Sequence, residues 1–167
     1  EDAGVVFVSV QQRGAYPGTG AVDEIGIGAG RGATVNVPLP AGAGDAAFDR
    51  ALAEIVAPLA ERVQPELVVV SAGFDASWRD PLAGLAVSGA GFHAAAAALA
   101  AIAARHAEGR LAFVLEGGYD LPALGEGVVN VARALHGAPA ATALGQPDAP
   151  EPDVGAVVDA VRRRHGL

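Results

Sequence analysis

Residues 67–75 read Leu67-Val68-Val69-Val70-Ser71-Ala72-Gly73-Phe74-Asp75. Four consecutive apolar residues, three of them β-branched, predict a strand that is buried in a parallel sheet. The run then breaks into small residues and delivers a carboxylate, Asp75. Because ligands of open α/β sheets bind where the strands end, Asp75 is a candidate functional residue.

A second stretch repeats this design, and it reads Leu111-Ala112-Phe113-Val114-Leu115-Glu116-Gly117-Gly118-Tyr119-Asp120. The apolar half predicts another strand, and the glycine pair lets the backbone turn without Cβ clashes and present Tyr119. Each candidate also has a structural explanation, Asp75 as a turn or capping carboxylate and Tyr119 as a half-buried aromatic with a backbone partner. Their matching positions after two strands favour functional roles for both.

The composition of the chain excludes or disfavours several classes of function. The chain has 167 residues, 51% of them apolar, and a net charge of -8, which disfavours nonspecific binding to nucleic acid or to anionic membranes. It has no cysteine, which excludes a disulfide framework and a thiolate nucleophile or metal ligand. No apolar run approaches the ~20 residues of a membrane span, so we expect a cytoplasmic protein without a membrane partner.

The spacing of apolar residues predicts the order of elements. Strands are expected near residues 5–10, 34–37, 67–70 and 111–115, and helices over 45–63, 89–106, 121–135 and 153–164. Asp45, Ser88 and Asp153 are the expected helix caps, and Pro58 should kink its helix or start a fresh turn. Strands that alternate with helices predict a parallel sheet with covering helices.

The chain divides into three predicted parts. Residues 1–137 form the main domain, the proline-rich residues 138–152 form a linker, and residues 153–167 form a C-terminal helix. Within the main domain, residues 11–32 are rich in glycine, and a segment of that length without regular structure predicts a functional loop. Because the sequence starts at Glu1 and enters a strand almost at once, we expect the chain to continue upstream.

Three common types of functional site do not match the sequence. The glycine run from Gly26 to Gly32 precedes a strand, whereas a dinucleotide-binding loop follows a strand and opens a helix. The residues around Ser71 lack the glycine spacing of a nucleophile elbow. The four histidines have no His-x-x-x-His or Asp-x-His spacing, so this chain alone cannot build a usual zinc site.

Four ordered motifs resemble the histone deacetylase family, most closely its class II and bacterial branch, which includes acetylpolyamine amidohydrolases. They are Tyr16-Pro17-Gly18-Thr19-Gly20, Val35-Asn36-Val37-Pro38-Leu39-Pro40, Ser71-Ala72-Gly73-Phe74-Asp75-Ala76 with Asp80-Pro81-Leu82, and Glu116-Gly117-Gly118-Tyr119. The resemblance covers about residues 4–137 and only the C-terminal half of the family's catalytic domain. It implies a partial three-layer α/β/α fold of the arginase/deacetylase type.

The resemblance also implies zinc-dependent hydrolysis of an acetyl amide on lysine or a polyamine. Asp75 matches a carboxylate zinc ligand, and Tyr119 matches the tyrosine that polarises the acetyl carbonyl. Gly117 and Gly118 match the turn that carries this tyrosine, and Tyr16 matches an aromatic of the substrate tunnel. Zinc would serve as a Lewis acid that lowers the pKa of its bound water, while a phenol remains a donor at neutral pH.

The sequence departs from the family pattern in two respects. The family's Asp-x-His ligand pair and tandem histidines lie upstream of Glu1, so only one zinc ligand, Asp75, is present and the chain alone is expected to be inactive. Its expected partner is the N-terminal half of the catalytic domain. Gln11 stands where relatives usually carry histidine, which leaves the geometry of the tunnel loop open.

A second hypothesis is a non-catalytic α/β module. A parallel sheet that lacks part of its strands leaves an unpaired edge, and such an edge favours self-association or binding to another protein. A manganese-dependent, arginase-like chemistry is the weaker alternative because its site needs a richer cluster of Asp and His. The motifs do not separate protein lysine from polyamine substrates.

Overall fold

A computed structural model describes residue 2 and residues 4–167, and it confirms the predicted α/β class. Its strands are β1 (Phe7–Gln12), β2 (Thr34–Leu39), β3 (Val68–Ala72) and β4 (Leu111–Leu115). Its helices are α1 (Asp45–Ala51), α2 (Ala57–Val63), α3 (Gly89–His106), α4 (Leu121–Leu135) and α5 (Gly155–His165), with a 3-10 turn at Gly28–Gly30 and a π-helical turn at Leu52–Val56. None of the helices in these described ranges has the length and apolarity to cross a bilayer.

The strands form two separate parallel pairs within the described residues. β1 pairs with β2, and β3 pairs with β4 from Val68 opposite Leu111 to Ala72 opposite Leu115. The predicted single continuous sheet is therefore not observed in this part of the chain. Apolar runs identify strands but carry no information on which strands become neighbours.

The loop that follows β3 joins the two pairs. The Gly84 N–H donates to the side-chain oxygen of Gln12 at 2.6 Å, and the Gly84 carbonyl accepts from Gly42 N–H at 2.6 Å. Two residues further on, Ala86 N–H donates to the Ala43 carbonyl at 2.8 Å. Hydrogen bonds from one loop thus replace strand pairing as the link between β1–β2 and β3–β4.

The main hydrophobic core lies around β2, α1, the π-helical turn and α5. Side chains from each of these elements are buried there, among them Val35, Val37, Leu39, Ala47, Ala51, Ile55, Val157, Val158 and Val161. β2 is buried on both faces, including its polar residue Asn36, whose side-chain amide donates to backbone carbonyls. The C-terminal helix α5 therefore packs into the same core as the first strands.

Pro58 divides the first long helix as expected. Proline lacks an N–H, and its ring clashes with the carbonyl of the residue four positions earlier in a regular α-helix. The π-helical turn Leu52–Val56 lies directly before it, and α2 begins at Ala57 with Pro58 in its first turn. The wider turn accommodates the proline without ending the helical segment.

The two predicted caps on α1 and α3 have different outcomes. Ser88 caps α3, because its hydroxyl accepts from Gly91 N–H at 3.2 Å. Asp45 does not cap α1, so that prediction is wrong. Asp45 is the first helical residue, and its carboxylate instead accepts the Ser88 N–H at 2.7 Å and the Ser88 hydroxyl at 2.5 Å.

Glu151 caps α1 from the far end of the chain. Its carboxylate accepts from the N–H groups of Gly44 at 2.9 Å, Ala46 at 2.9 Å and Ala47 at 3.0 Å. The first N–H groups of a helix have no partner within the helix, and an anion there also interacts favourably with the helix dipole. No local sequence pattern reveals this cap, because the acceptor lies more than 100 residues from its donors.

The buried-strand prediction for residues 67–70 is wrong for one face of β3. Val69 is 58% exposed, and Val114, which projects from the same face of β4, is also exposed. On the opposite face Val68, Val70 and Phe113 are partly buried. Within the described residues only one face of the β3–β4 pair is covered, whereas an apolar run predicts cover on both.

Candidate functional site

The loops after β3 and β4 lie side by side. Parallel pairing places the ends of both strands at one edge, and the backbone bonds continue past them. Glu116 N–H donates to the Ala72 carbonyl at 3.1 Å, and Phe74 N–H donates to the Gly117 carbonyl at 2.8 Å. The loop that carries Asp75 is therefore joined directly to the loop that carries Tyr119.

Phe74 anchors the first of these loops. Its side chain is 4% exposed, and its ring meets Phe92 of α3 edge to face at 5.1 Å between centroids. The ring also packs against Gly127 of α4, where a Cβ atom would overlap it. Burial of this ring between two helices holds the backbone immediately before Asp75.

The Asp75 carboxylate packs against glycine backbone. A Cβ atom added to Gly117 would lie 2.5 Å from Asp75 Oδ2, and one added to Gly73 would lie 2.8 Å from Oδ1. Real Cβ contacts are longer than this, so a side chain at either position would displace the carboxylate. Gly73 after β3 and Gly117 after β4 thus provide the space that Asp75 occupies.

Asp75 is held in a setting that disfavours its ionised form. Burial raises the pKa of the Asp75 carboxyl, and the negative charges of Asp80 and Glu116 raise it further, while the N–H groups of Asp75 and Ala76 lower it. The charged groups that act on its pKa are all anions. A partly buried carboxylate with anionic neighbours is the kind of group that a cation would stabilise.

Tyr119 follows the glycine pair and presents its side chain to solvent. The side chain is 56% exposed, and the preceding Gly118 has φ = +138°, a conformation that other residues rarely adopt. The Tyr119 N–H donates to Asp80 Oδ2 at 2.8 Å. The backbone of Tyr119 is therefore held by a side chain from the other loop.

Arg79 and Asp80 are the residues of this site that the sequence analysis did not assign. Arg79 contacts the Asp120 carboxylate at 3.3 and 3.4 Å, and Asp120 caps α4 by accepting from Ala123 N–H at 2.9 Å. These contacts lower the pKa of Asp120, with the Ala123 N–H as the largest cause. The Asp80-Pro81 dipeptide, typical of turns in which the aspartate side chain binds nearby backbone, was the available signal.

Tyr16 lies apart from this pair of loops. It is 100% exposed and belongs to the loop after β1, in the other strand pair. Gln11 of β1 holds that loop, because its side-chain amide donates to the Gly20 carbonyl at 2.8 Å. The structure thus brings together Asp75, Gly117, Gly118 and Tyr119 but not Tyr16.

The described residues do not form a metal site by themselves. Among them no three side chains of His, Cys, Asp or Glu converge as a metal-binding group. His93 bonds to the Ala138 carbonyl at 2.8 Å and His106 faces Glu61 at 3.6 Å, both in structural contacts. Asp75 alone does not fit a zinc ion, which needs three or four protein ligands.

These features define an α/β domain with a carboxylate and a phenol on touching loops at one edge of a parallel strand pair. The histone deacetylase domain matches residues 1–135 of the sequence. The chain therefore belongs to the histone deacetylase family.

Known relatives agree with this assignment. Histone deacetylase 10, chloroplastic, of Oryza sativa subsp. japonica is 45% identical over 86% of this chain and 32% of the relative. The histone deacetylase-like amidohydrolase of Pseudomonas aeruginosa is 44% identical over 70% of this chain and 31% of the relative. The crystal structure of the HDA15 HD domain aligns with a TM-score of 0.82 and 32% identity, over 96% of this chain and 43% of that one. The chain has the arginase/deacetylase fold in part and spans about a third of the length of these curated relatives.

The contact between Gly117 and Asp75 generates a first prediction. We expect Gly117→Ala to destabilise the chain by about 1–3 kcal/mol, because the added methyl must displace the carboxylate. The three atoms nearest to the added Cβ all belong to Asp75. In an Asp75→Ala background the same substitution should therefore cost little. Urea denaturation of the wild type, the two single variants and the double variant measures the coupling free energy between the two positions.

Gly118→Ala is the matched control for this cycle. Its cost arises from the φ of +138° and from contacts with Leu124 and Phe74, so it should be similar with or without the Asp75 carboxylate. Equal costs for Gly117→Ala in the two backgrounds would contradict the described packing.

The pKa of Asp75 generates a second prediction. The pKa of Asp75 is higher in the folded than in the unfolded chain, so the stability of the fold decreases as the pH rises from the unfolded-state pKa to the folded-state pKa. Above the folded-state pKa the full cost is present, and below the unfolded-state pKa there is none. Asp75→Asn should therefore raise Tm of the metal-free chain at pH 7, by about 2–4 °C for each kcal/mol recovered. The gain should shrink as the pH falls through the Asp75 pKa.

Scanning calorimetry in the presence of a chelator, between pH 3 and pH 8, measures this difference. Asp148→Asn, an exposed carboxylate of the segment before α5, makes the same change of net charge and should show no comparable gain. An equal rise in Tm for both variants would mean that the change of net charge is the cause and not the environment of Asp75.

Proposed function

We propose that this chain is the C-terminal part of a zinc-dependent deacetylase that hydrolyses acetyl amides of lysine or polyamines. The observation that carries the proposal is the contact between the two strand-end loops, with the Asp75 carboxylate packed against Gly117 two residues before Tyr119. Family membership supports the reaction class. The substrate, the metal and the residue roles are part of the proposal.

Asp75 would contribute one carboxylate ligand to a zinc ion, and the other ligands of that ion would come from outside the described residues. The raised pKa of Asp75 supports this role, because the pKa is raised by burial and by the negative charges of Asp80 and Glu116. A bound cation would favour the ionised form of Asp75 and remove the cost of burying it.

Tyr119 donates its phenolic hydrogen to the acetyl carbonyl as negative charge develops on the oxygen. Its exposed side chain is free to meet a substrate, while its backbone is held at the N–H. A donor at a developing oxyanion is typically worth about 3 kcal/mol of the activation barrier. Gly117 and Gly118 allow the turn that presents this donor.

Substrate contacts and location complete the proposal. Tyr16, exposed on the loop after β1, lines the path of the acylated chain, and Gly117 and Gly118 border its end. The N-terminal half of the catalytic domain is the partner that supplies the remaining zinc ligands and the histidine base. We place the enzyme in the cytoplasm.

Two substitutions in the complete catalytic domain test these roles. Asp75→Ala should remove bound zinc and deacetylation together. Tyr119→Phe should retain zinc and lower kcat by about 10²- to 10³-fold, since it removes only the hydroxyl. Zinc content by mass spectrometry and turnover of an acetyl-lysine peptide and an acetylpolyamine measure both outcomes.

Asp148→Ala serves as the control for loss of an acidic side chain and should retain both zinc and turnover. If Asp75→Ala left zinc content and deacetylation intact, the assignment of Asp75 would be wrong. If Tyr119→Phe turned over at the wild-type rate, the hydroxyl would have no part in the reaction.

A second candidate function is a non-catalytic module that associates through the β3–β4 pair. The observation that favours it is the open face with exposed Val69 and Val114. Apolar side chains on an uncovered sheet face promote association with another chain. The same face would be covered by the remaining half of the domain in the first proposal.

Sizing of the 167-residue chain by light scattering separates the two functions. A stable monomer or dimer that takes up no zinc favours the module, whereas progressive aggregation favours a domain that needs its other half. Val69→Asp should reduce the aggregation if the open face is its cause. Aggregation that is unchanged in this variant would exclude that face.

A further inference from the structure

Asp80 is a buried acid to which the proposed function assigns no role. It is 8% exposed and lies in the loop after β3, five residues beyond Asp75. A buried carboxylate is costly unless its oxygens are hydrogen-bonded. The contacts of Asp80 therefore indicate what it stabilises.

Both carboxylate oxygens of Asp80 accept backbone N–H groups. Oδ1 accepts from Leu82 at 2.9 Å and from Ala83 at 3.2 Å, which closes the turn within its own loop. Oδ2 accepts from Tyr119 at 2.8 Å, 39 residues away along the chain. One side chain thus couples the conformation of its own loop to that of the loop after β4.

The turn before Tyr119 depends on contacts from outside itself. Two successive glycines precede the tyrosine, and glycine restricts the backbone less than any other residue. The N–H bond to Asp80 fixes the peptide plane at which the side chain of Tyr119 begins. The adjacent residue Asp120 is held in turn by Arg79, the residue before Asp80. Two consecutive residues of one loop therefore hold two consecutive residues of the other.

We propose that Asp80 is the positioning residue for Tyr119, which it orients through the Tyr119 N–H so that the phenol points at the reacting carbonyl. This inference rests on the proposed function for the role of the phenol, but not for the hydrogen bond itself. A displacement of about 1 Å at a reacting group can cost 10²-fold in rate, so the orientation of this turn matters to turnover.

Asp80→Asn isolates this bond. An asparagine has one carbonyl oxygen and an NH2 group that only donates, so it cannot accept from Leu82, Ala83 and Tyr119 together. If the oxygen stays in the turn of its own loop, the NH2 group opposes the Tyr119 N–H. The size of the side chain is unchanged.

The first measurement concerns the hydrogen bond alone. In the ¹⁵N-labelled complete catalytic domain, Asp80→Asn should speed hydrogen exchange of the Tyr119 amide at least ~10-fold relative to amides in the middle of α3. Equal exchange rates in the wild type and the variant would contradict the hydrogen bond between Asp80 and Tyr119, whatever reaction the domain catalyses. A faster Tyr119 amide in a domain that hydrolyses no acetyl amide would instead refute the proposed function.

The second measurement is a double-mutant cycle in the complete catalytic domain. Asp80→Asn should lower kcat by about 10- to 100-fold with KM and zinc content nearly unchanged. In a Tyr119→Phe background the same substitution should lower kcat by less than ~3-fold, because the hydroxyl that Asp80 orients is gone.

The competing explanation is an effect of Asp80 on Asp75, whose carboxyl is close enough to sense its charge. That effect would persist in the Tyr119→Phe background, so additive losses in the cycle would overturn the positioning role. Arg79→Gln provides the matched control, because it loosens the neighbouring contact to Asp120 without touching the Tyr119 N–H. Its loss of kcat should be smaller than that of Asp80→Asn.

Discussion

The parallel register of β3 and β4 is the constraint on which the candidate site depends. Two parallel strands that are in register through their last residues must end at the same edge. Their loops then continue the pairing, through the N–H of Phe74 and the carbonyl of Gly117. An antiparallel pair, or a shift of register, would separate the carboxylate from the turn that makes room for it. The chemistry of the site therefore begins with backbone geometry.

Two carboxylates in the loop after β3 lie in different environments because their hydrogen bonds differ. Asp80 accepts three N–H groups through both oxygens and is thereby compatible with burial. Asp75 lies against glycines, and burial and nearby anions raise its pKa. The first is an anchor for backbone, and the second retains capacity to bind a positively charged group. Their separation by five residues allows one loop to provide both.

Sequence patterns predicted the local structure well because local physics determines it. α3 begins after its predicted cap, α4 spans the residues that the apolar spacing indicates, and the fresh turn at Pro58 follows from proline stereochemistry. The matching strand ends also predict Asp75 and Tyr119 as candidate residues from the sequence alone. The family motifs contain the same two residues.

Long-range contacts were the part that the sequence could not provide. Asp45 has the residue type and position of a cap, yet it binds Ser88, 43 residues away, because a competing acceptor occupies the start of α1. The apolar run of β3 predicted cover on both faces, since hydrophobicity shows that a residue prefers burial but not what buries it. The bond between Asp80 and Tyr119 likewise joins distant loops. Each of these depends on partners that no short window of sequence contains.

The cap that Glu151 places on α1 has a consequence for the order of events during synthesis. The donors, at residues 44–47, leave the ribosome long before their acceptor does. During translation, at roughly 5–20 residues per second, α1 therefore spends several seconds with its amino end open to water or to another anion. The nascent chain acquires its final helix start only after Glu151 has been made, so the start of α1 is completed more than 100 residues after its own residues are synthesised.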